Sequence, residues 1–145
     1  MLEVRPVAFR EHASHWGARI GTALALGAAV GLPTLGLGGR LAMFGFAHQT
    51  ARVSHWTARG TMTVALSGAI AGALAGVLFV AVDRWLLPRA RPVARGLVFG
   101  VVTLGVASPG VRPPWPLTFA LFAPAFLTFG LAFVVCSTRV VAGRR

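Results

Sequence analysis

The sequence predicts an all-α membrane protein of about four spanning helices, with both termini in the cytoplasm. Three observations carry this. The first is composition. Hydrophobic residues make up 56% of the 145-residue chain, charged residues only 12%, and the mean hydropathy is +0.75; soluble domains carry about 25% charged residues. The second is the segmentation of the chain into apolar runs near the roughly 20 residues that cross a hydrocarbon core. The third is tryptophan placement. Trp16, Trp56, Trp85 and Trp115 all stand where an apolar block meets a polar one. Indole favours the headgroup level, so the four rings read as interface anchors.

The first fifteen residues are too polar to form the core of a signal peptide, and the run after them is long enough to span. Together they read as the start of an uncleaved first helix. Span one is expected over about 17–39. Pro33 lies inside it and should bend it, because the ring removes one backbone hydrogen bond and crowds the preceding turn. The stretch Gly36 to Ala47 either ends this span or continues it along the interface, with Arg40 snorkelling to the headgroups. Span two, about 61–82, has no charge and no proline. Asp83, Arg84 and Trp85 close it, and a local ion pair with Arg84 or a capping role is the reading for Asp83. The basic loop LLPRARPVAR follows. Span three, about 94–110, is short, so it borrows the preceding residues or thins the bilayer locally. After the turn SPGVRPPWP, span four covers about 117–136 with Pro124 inside it. The chain is read as one transmembrane domain over 1–145.

Arginine placement sets the orientation. With four spans, ten arginines fall on the side of the termini and the second loop, and four (Arg40, Arg52, Arg59, Arg112) on the other. Positive charge gathers on the cytoplasmic side of short loops. The same distribution accounts for the net charge of +11. A nucleic-acid binder gathers its basic residues on one solvated face, whereas here they separate apolar runs. Anionic lipid is the expected partner and nucleic acid is not. The single cysteine, Cys136, has no second cysteine to pair with.

The sharpest local pattern is small residues at helical spacing: Gly27 with Gly31, Gly68 with Gly72 and Gly76, and Gly96 with Gly100. Gly17 with Gly21 repeats the spacing. Such ladders let another backbone approach closely. They serve a seam to another subunit or packing within this chain, and spacing does not decide between them. Span four carries the opposite pattern. Phe119, Phe122, Phe126, Phe129 and Phe133 form one aromatic stripe at helical pitch. A face toward lipid is the plainer reading; a face toward a neighbouring subunit, a quinone, or a bacteriochlorophyll or carotenoid is the sharper one. Phe122, Phe126, Phe129 and His48 are the candidate cofactor contacts. The other histidines, His12, His15 and His55, lack the converging ligands of a metal site. No nucleophile or acid–base pair is recognisable, so an enzyme is not expected.

SHWGAR, from Ser14, recurs as SHWTAR forty residues later, each ahead of an Ala/Gly-rich run. Inverted repeats characterise transporters, but those repeats contain several helices each. Similar anchors at two helix starts are the simpler explanation.

GGRLAMFGFA, GAIAGALAGVLFVAVDRWLLP and ARGLVFGVV, within about Ala23 to Val106, resemble small uncharacterised four-helix integral membrane proteins of bacteria. The resemblance implies the bacterial inner membrane and supplies no activity. The expected role is an accessory or structural subunit of a larger membrane complex, with a respiratory or photosynthetic assembly as possible host and other integral membrane subunits as partners. The alternative is a small oligomeric transporter or channel.

Overall fold

The computed structural model describes residues 7–49, 57–83, 85, 90–108 and 115–142. Among them 95% are helical and none lies in a strand. The helices are α1 (Val7–Gly31), a π segment (Leu32–Leu37), α2 (Gly38–Gln49), α3 (Ala58–Val82), α4 (Pro92–Ala107) and α5 (Trp115–Ala142).

Three helices are long and apolar enough to cross a membrane: the continuous Trp16–Gln49, then Ala58–Val82, then Phe119–Val140. The first was expected to end near Gly39. It runs on without a break, and its 34 residues measure about 51 Å at ~1.5 Å per residue. The ambiguous stretch after Gly36 is therefore helical throughout. α4 is bounded by proline chemistry. Pro92 sits at its first position, where no intrahelical N–H is needed, and Ser108 stands ahead of Pro109. Its 16 residues reach only about 24 Å, short of the ~30 Å hydrocarbon core. α5 begins at Trp115 and continues to Ala142, beyond the boundary expected near Cys136.

Pro33 does not break the first helix. It withholds the N–H that would bond the Ala29 carbonyl, and the chain answers with a wider turn. The Gly38 N–H donates to the Pro33 carbonyl, the i to i−5 bond of a π-helix. The Thr34 hydroxyl donates to the Val30 carbonyl at 2.6 Å and helps to satisfy the same turn. At the start of α3, the Thr57 hydroxyl accepts from the Gly60 N–H at 3.2 Å, an N-cap.

The helices form two antiparallel pairs. α1 and the π segment pair with α3, and α4 pairs with α5. α2 leaves α3 and packs chiefly on α5, which joins the two pairs. One end of the bundle gathers the start of α1, the end of α3, the start of α4 and the end of α5. At this end Asp83 and Arg95 form an ion pair. Of the two readings for Asp83, a local ion pair or a cap, the residue does stand at the C-cap of α3, while its ion-pair partner lies on the next helix. Each charge sits at the unfavourable pole of its helix, Asp83 at the carboxyl end of α3 and Arg95 near the amino end of α4. Pairing offsets both. At the opposite end the half-buried Arg40 lies beside the first turn of α3, its Nη2 3.6 Å from an ideal Cβ on Gly60.

Candidate functional site

The two helix seams are built from glycine. Along the first, Gly27, Gly31 and Gly36 meet Gly72, Gly68 and Ala65 in antiparallel register, and Gly76 lies on the Ala23 carbonyl. A Cβ on Gly31 would stand 2.5 Å from the Gly68 carbonyl oxygen and 2.7 Å from the Gly72 Cα. Along the second, Gly96 and Gly100 meet Gly130, Leu131 and Leu127. A Cβ on Gly96 would stand 2.8 Å from the Leu131 Cα, and one on Gly100 2.9 Å from the Leu127 Cα. These obstacles are backbone, which cannot swing aside. The ladders at Gly27–Gly31, Gly68–Gly72–Gly76 and Gly96–Gly100 are thus filled by the chain's own helices. Of the two readings open from sequence, packing within the chain is the one seen. Gly17 and Gly21 differ from the rest, for nothing lies within 4 Å of either Cβ position.

The ladder in the first helix steps by four residues from Gly27 to Gly31, then by five to Gly36. At α-helical pitch Leu35 would turn toward the seam. The π turn delays the phase and delivers Gly36 instead. Sequence spacing alone ends this ladder at Gly31 for that reason.

Between the two pairs lies a phenylalanine core. Phe99, Phe129 and Phe133 are fully buried, with Phe79 nearly so. Phe79 meets Phe99 edge-on with ring centroids 4.9 Å apart, and Phe133 at 5.2 Å. Phe99 lies 5.6 Å from Phe133 and 6.0 Å from Phe129. Edge-to-face and tilted arrangements at these separations are favourable beyond simple contact. The aromatic stripe of α5 therefore divides. Its Phe129 and Phe133 face the other helices and are withdrawn from the outer surface, Phe133 reaching only the small pocket between α1, α3 and α5, while Phe119, Phe122 and Phe126 are half-buried. A signal for this core was present in the sequence. Gly76–Phe79, Gly96–Phe99 and Gly130–Phe133 are each spaced i, i+3, on one helix face. The glycine brings the backbones together, and one turn on the ring fills the space where they diverge. Thr103, the buried polar residue beside this core, donates to the Phe99 and Gly100 carbonyls of its own helix.

Two cavities among the described residues bear on the candidate site. A groove of about 590 Å³ runs between the first helix and α5, and both span prolines, Pro33 and Pro124, line it with Thr34 and Thr128. A smaller pocket of about 150 Å³ opens near the Asp83–Arg95 end between α1, α3 and α5. Its floor is Phe79 and Phe133, and its rim carries Arg19, Thr22 and Ser137.

The remaining sequence candidates are placed as follows. Trp16 and Trp85 are exposed at the Asp83–Arg95 end of the bundle, Trp85 strongly so at 85%. Trp115 opens α5, but its side chain lies outside what the structure describes, and Trp56 and His55 lie outside the described residues altogether. So do the side chains of His12 and His15. His48 is exposed in the last turn of α2. Among the described residues no group of three potential metal ligands forms. Of the forty-residue echo, Gly17 lies inside α1 whereas its counterpart Thr57 caps the start of α3; Ser54, His55 and Trp56 lie outside the described residues. Compared with protein-family models, with curated proteins and with solved structures, the chain matches none.

Proposed function

We propose that this protein is an accessory or structural subunit of a larger membrane assembly in the bacterial inner membrane, crossing four times with both termini in the cytoplasm. The observation that carries the reading is the outer face of α3. Met62, Leu66, Ile70 and Leu74 follow one another at i, i+4 and are exposed, Met62 at 72% and Leu74 at 65%. They stand on the back of the glycine seam, so one side of α3 closes the protein and the other presents an aliphatic ridge outward. Val93, Leu97 and Val101 form a similar row on α4. Small residues hold the chain together and aliphatic ridges are left for a neighbour, which reverses the division of labour suggested by the glycine ladders. A respiratory or photosynthetic complex remains a suitable host, and pigment or quinone would belong to that host.

The test is native electrophoresis of membranes solubilised in mild detergent. The wild-type chain should migrate in an assembly far larger than its 15.1 kDa. Replacing Leu66 and Ile70 by Ala should release it from that assembly while it stays in the membrane. Migration of the wild type as a lone chain would overturn the proposal.

One observation favours the transport alternative. Pro33 and Pro124, each of which frees a backbone carbonyl, line the same groove with two threonines. Reconstitution of the purified chain in liposomes separates the two readings, because an accessory subunit alone gives no solute flux above empty vesicles.

A further inference from the structure

We propose that the pocket between α1, α3 and α5 is a binding site for one anionic phospholipid, with an acyl chain on Phe79 and Phe133 and the phosphate on Arg19.

The pocket has an apolar floor and one charged group at its rim. Leu26, Phe79 and Phe133 supply the floor, and Arg19 the charge. The two hydroxyls at the rim are already engaged as donors on their own helices. Thr22 donates to the Ala18 carbonyl at 2.8 Å and Ser137 to the Val134 carbonyl at 2.8 Å. A polar ligand such as a sugar would find few free donors there. The guanidinium remains, with five N–H donors in a fork that matches phosphate oxygens. Arg19 is exposed, and among the described residues it makes no ion pair. Its guanidinium carbon lies 5.6 Å from the centre of the Trp16 ring. Stacking on an indole restrains the side chain and leaves N–H edges for an anion.

Position supports the same occupant. The α1–α3 register that sets Ala23 on Gly76 and Gly27 on Gly72 brings Trp16 level with Asp83, at the end of α3. The Arg19 backbone is thus one turn inside the interface tryptophan, and its guanidinium, which lies against the Trp16 ring, reaches back to the headgroup level of a phosphate, with the pocket below it at the depth of acyl chains. Arg91, Arg95 and Arg139 share this end of the bundle, with Asp83 as the described counter-charge. The field there attracts anionic lipid. Size narrows the choice further. At about 150 Å³ the pocket is smaller than the ~300–1,000 Å³ that encloses a compact ring-bearing ligand, and it suits part of a single chain.

The full chain in mild detergent would be titrated with phosphatidylglycerol or with phosphatidylcholine of identical chains, and bound lipid counted by native mass spectrometry. One phosphatidylglycerol should be retained per chain at a concentration at least about tenfold below that needed for phosphatidylcholine. Arg19→Gln should abolish that difference. Arg139→Gln, which removes a charge of the same end outside the pocket, should preserve it. Ser137→Phe, which fills the pocket, should lower retention of phosphatidylglycerol with Arg19 intact. Equal retention of the two lipids by the wild type would overturn the site. So would equal loss in Arg19→Gln and Arg139→Gln, which would make the preference a property of diffuse charge. Should Ser137→Phe fail to fold, the two arginine variants decide the matter. The measurement needs no host assembly, so its outcome is independent of the accessory-subunit reading.

Discussion

Substitution of Gly72 by Ala adds one methyl group at the centre of the α1–α3 seam, and the structure sets the size of the penalty. The new Cβ would stand 2.7 Å from the Gly31 Cα and 3.1 Å from the Gly27 carbonyl carbon, as well as on the Gly27 carbonyl oxygen. Carbon pairs are comfortable at ~3.5–4.0 Å, so α1 must retreat by about 1 Å. A gap of that size forfeits a quarter to a half of the dispersion attraction along the seam. In lipid that attraction is the main force between helices, since the surrounding tails are as apolar as the side chains. Overpacking a core costs about 1–3 kcal/mol, and a backbone obstacle places this case near 3. The control is Gly21→Ala, in the same first helix with nothing within 4 Å. It gains the helix propensity of Ala over Gly, up to ~1 kcal/mol, without a clash. Unfolding in mixed micelles, followed by circular dichroism, should show Gly72→Ala less stable than Gly21→Ala by about 3 kcal/mol, roughly a hundredfold in the folding equilibrium. Two variants within 0.5 kcal/mol of each other would refute the close approach of α1 and α3.

Three further outcomes follow from the fold. Phe99→Ala should cost about 2–3 kcal/mol in the same assay, since the cavity term of ~24 cal/mol per Å³ applies to a ring-sized void and the surrounding rings Phe79, Phe129 and Phe133 are fixed on other turns; Phe122→Ala, half-buried, should cost less than half as much. Asp83→Asn should destabilise by about 1 kcal/mol by leaving Arg95 alone at the positive pole of α4, and the double change with Arg95→Gln should cost less than the sum of the two single changes; strict additivity would deny the pair. Reporter fusions at Arg145 and after Gln49 should report a cytoplasmic C-terminus and an exported loop, and an exported C-terminus would mean that α4 does not cross.

The helical class, the glycine seams and the clean second span were legible because each rests on local pattern: apolar runs, i, i+4 small residues and the absence of charge between Thr61 and Val82. What escaped was relational. That Gly68, Gly72 and Gly76 face Gly27 and Gly31, and not another protein, depends on the loop returning α3 beside α1, and no spacing encodes the identity of a partner. Asp83 was matched to its neighbour Arg84 because adjacency in sequence was the only information available, while the partner in the fold, Arg95, lies twelve residues on. The stripe on α5 was read as a single face because its five phenylalanines share one pitch. Packing divides it, since only the lower part of α5 meets Phe79 and Phe99. The candidate lipid pocket was not foreseen, for it is assembled from three helices and Arg19 had been counted only as a positive charge for orientation.

The wider turn at Leu32–Leu37 acts as a gear between two halves of one long rod. Below it the rod meshes with α3, and above it with α5. One additional residue of phase is all that separates the two engagements. Tightening this turn to α-helical pitch at constant length would leave every seam glycine up to Gly31 in mesh, turn Leu35 toward α3 in place of Gly36 and rotate everything beyond by about 100°. Gly38, which now lies against Ala125, would swing off α5, and the link between the two helix pairs would be lost although α4 and α5 kept their own contacts. The one extra residue in this turn, held by the missing N–H of Pro33, thus carries the instruction to form one bundle.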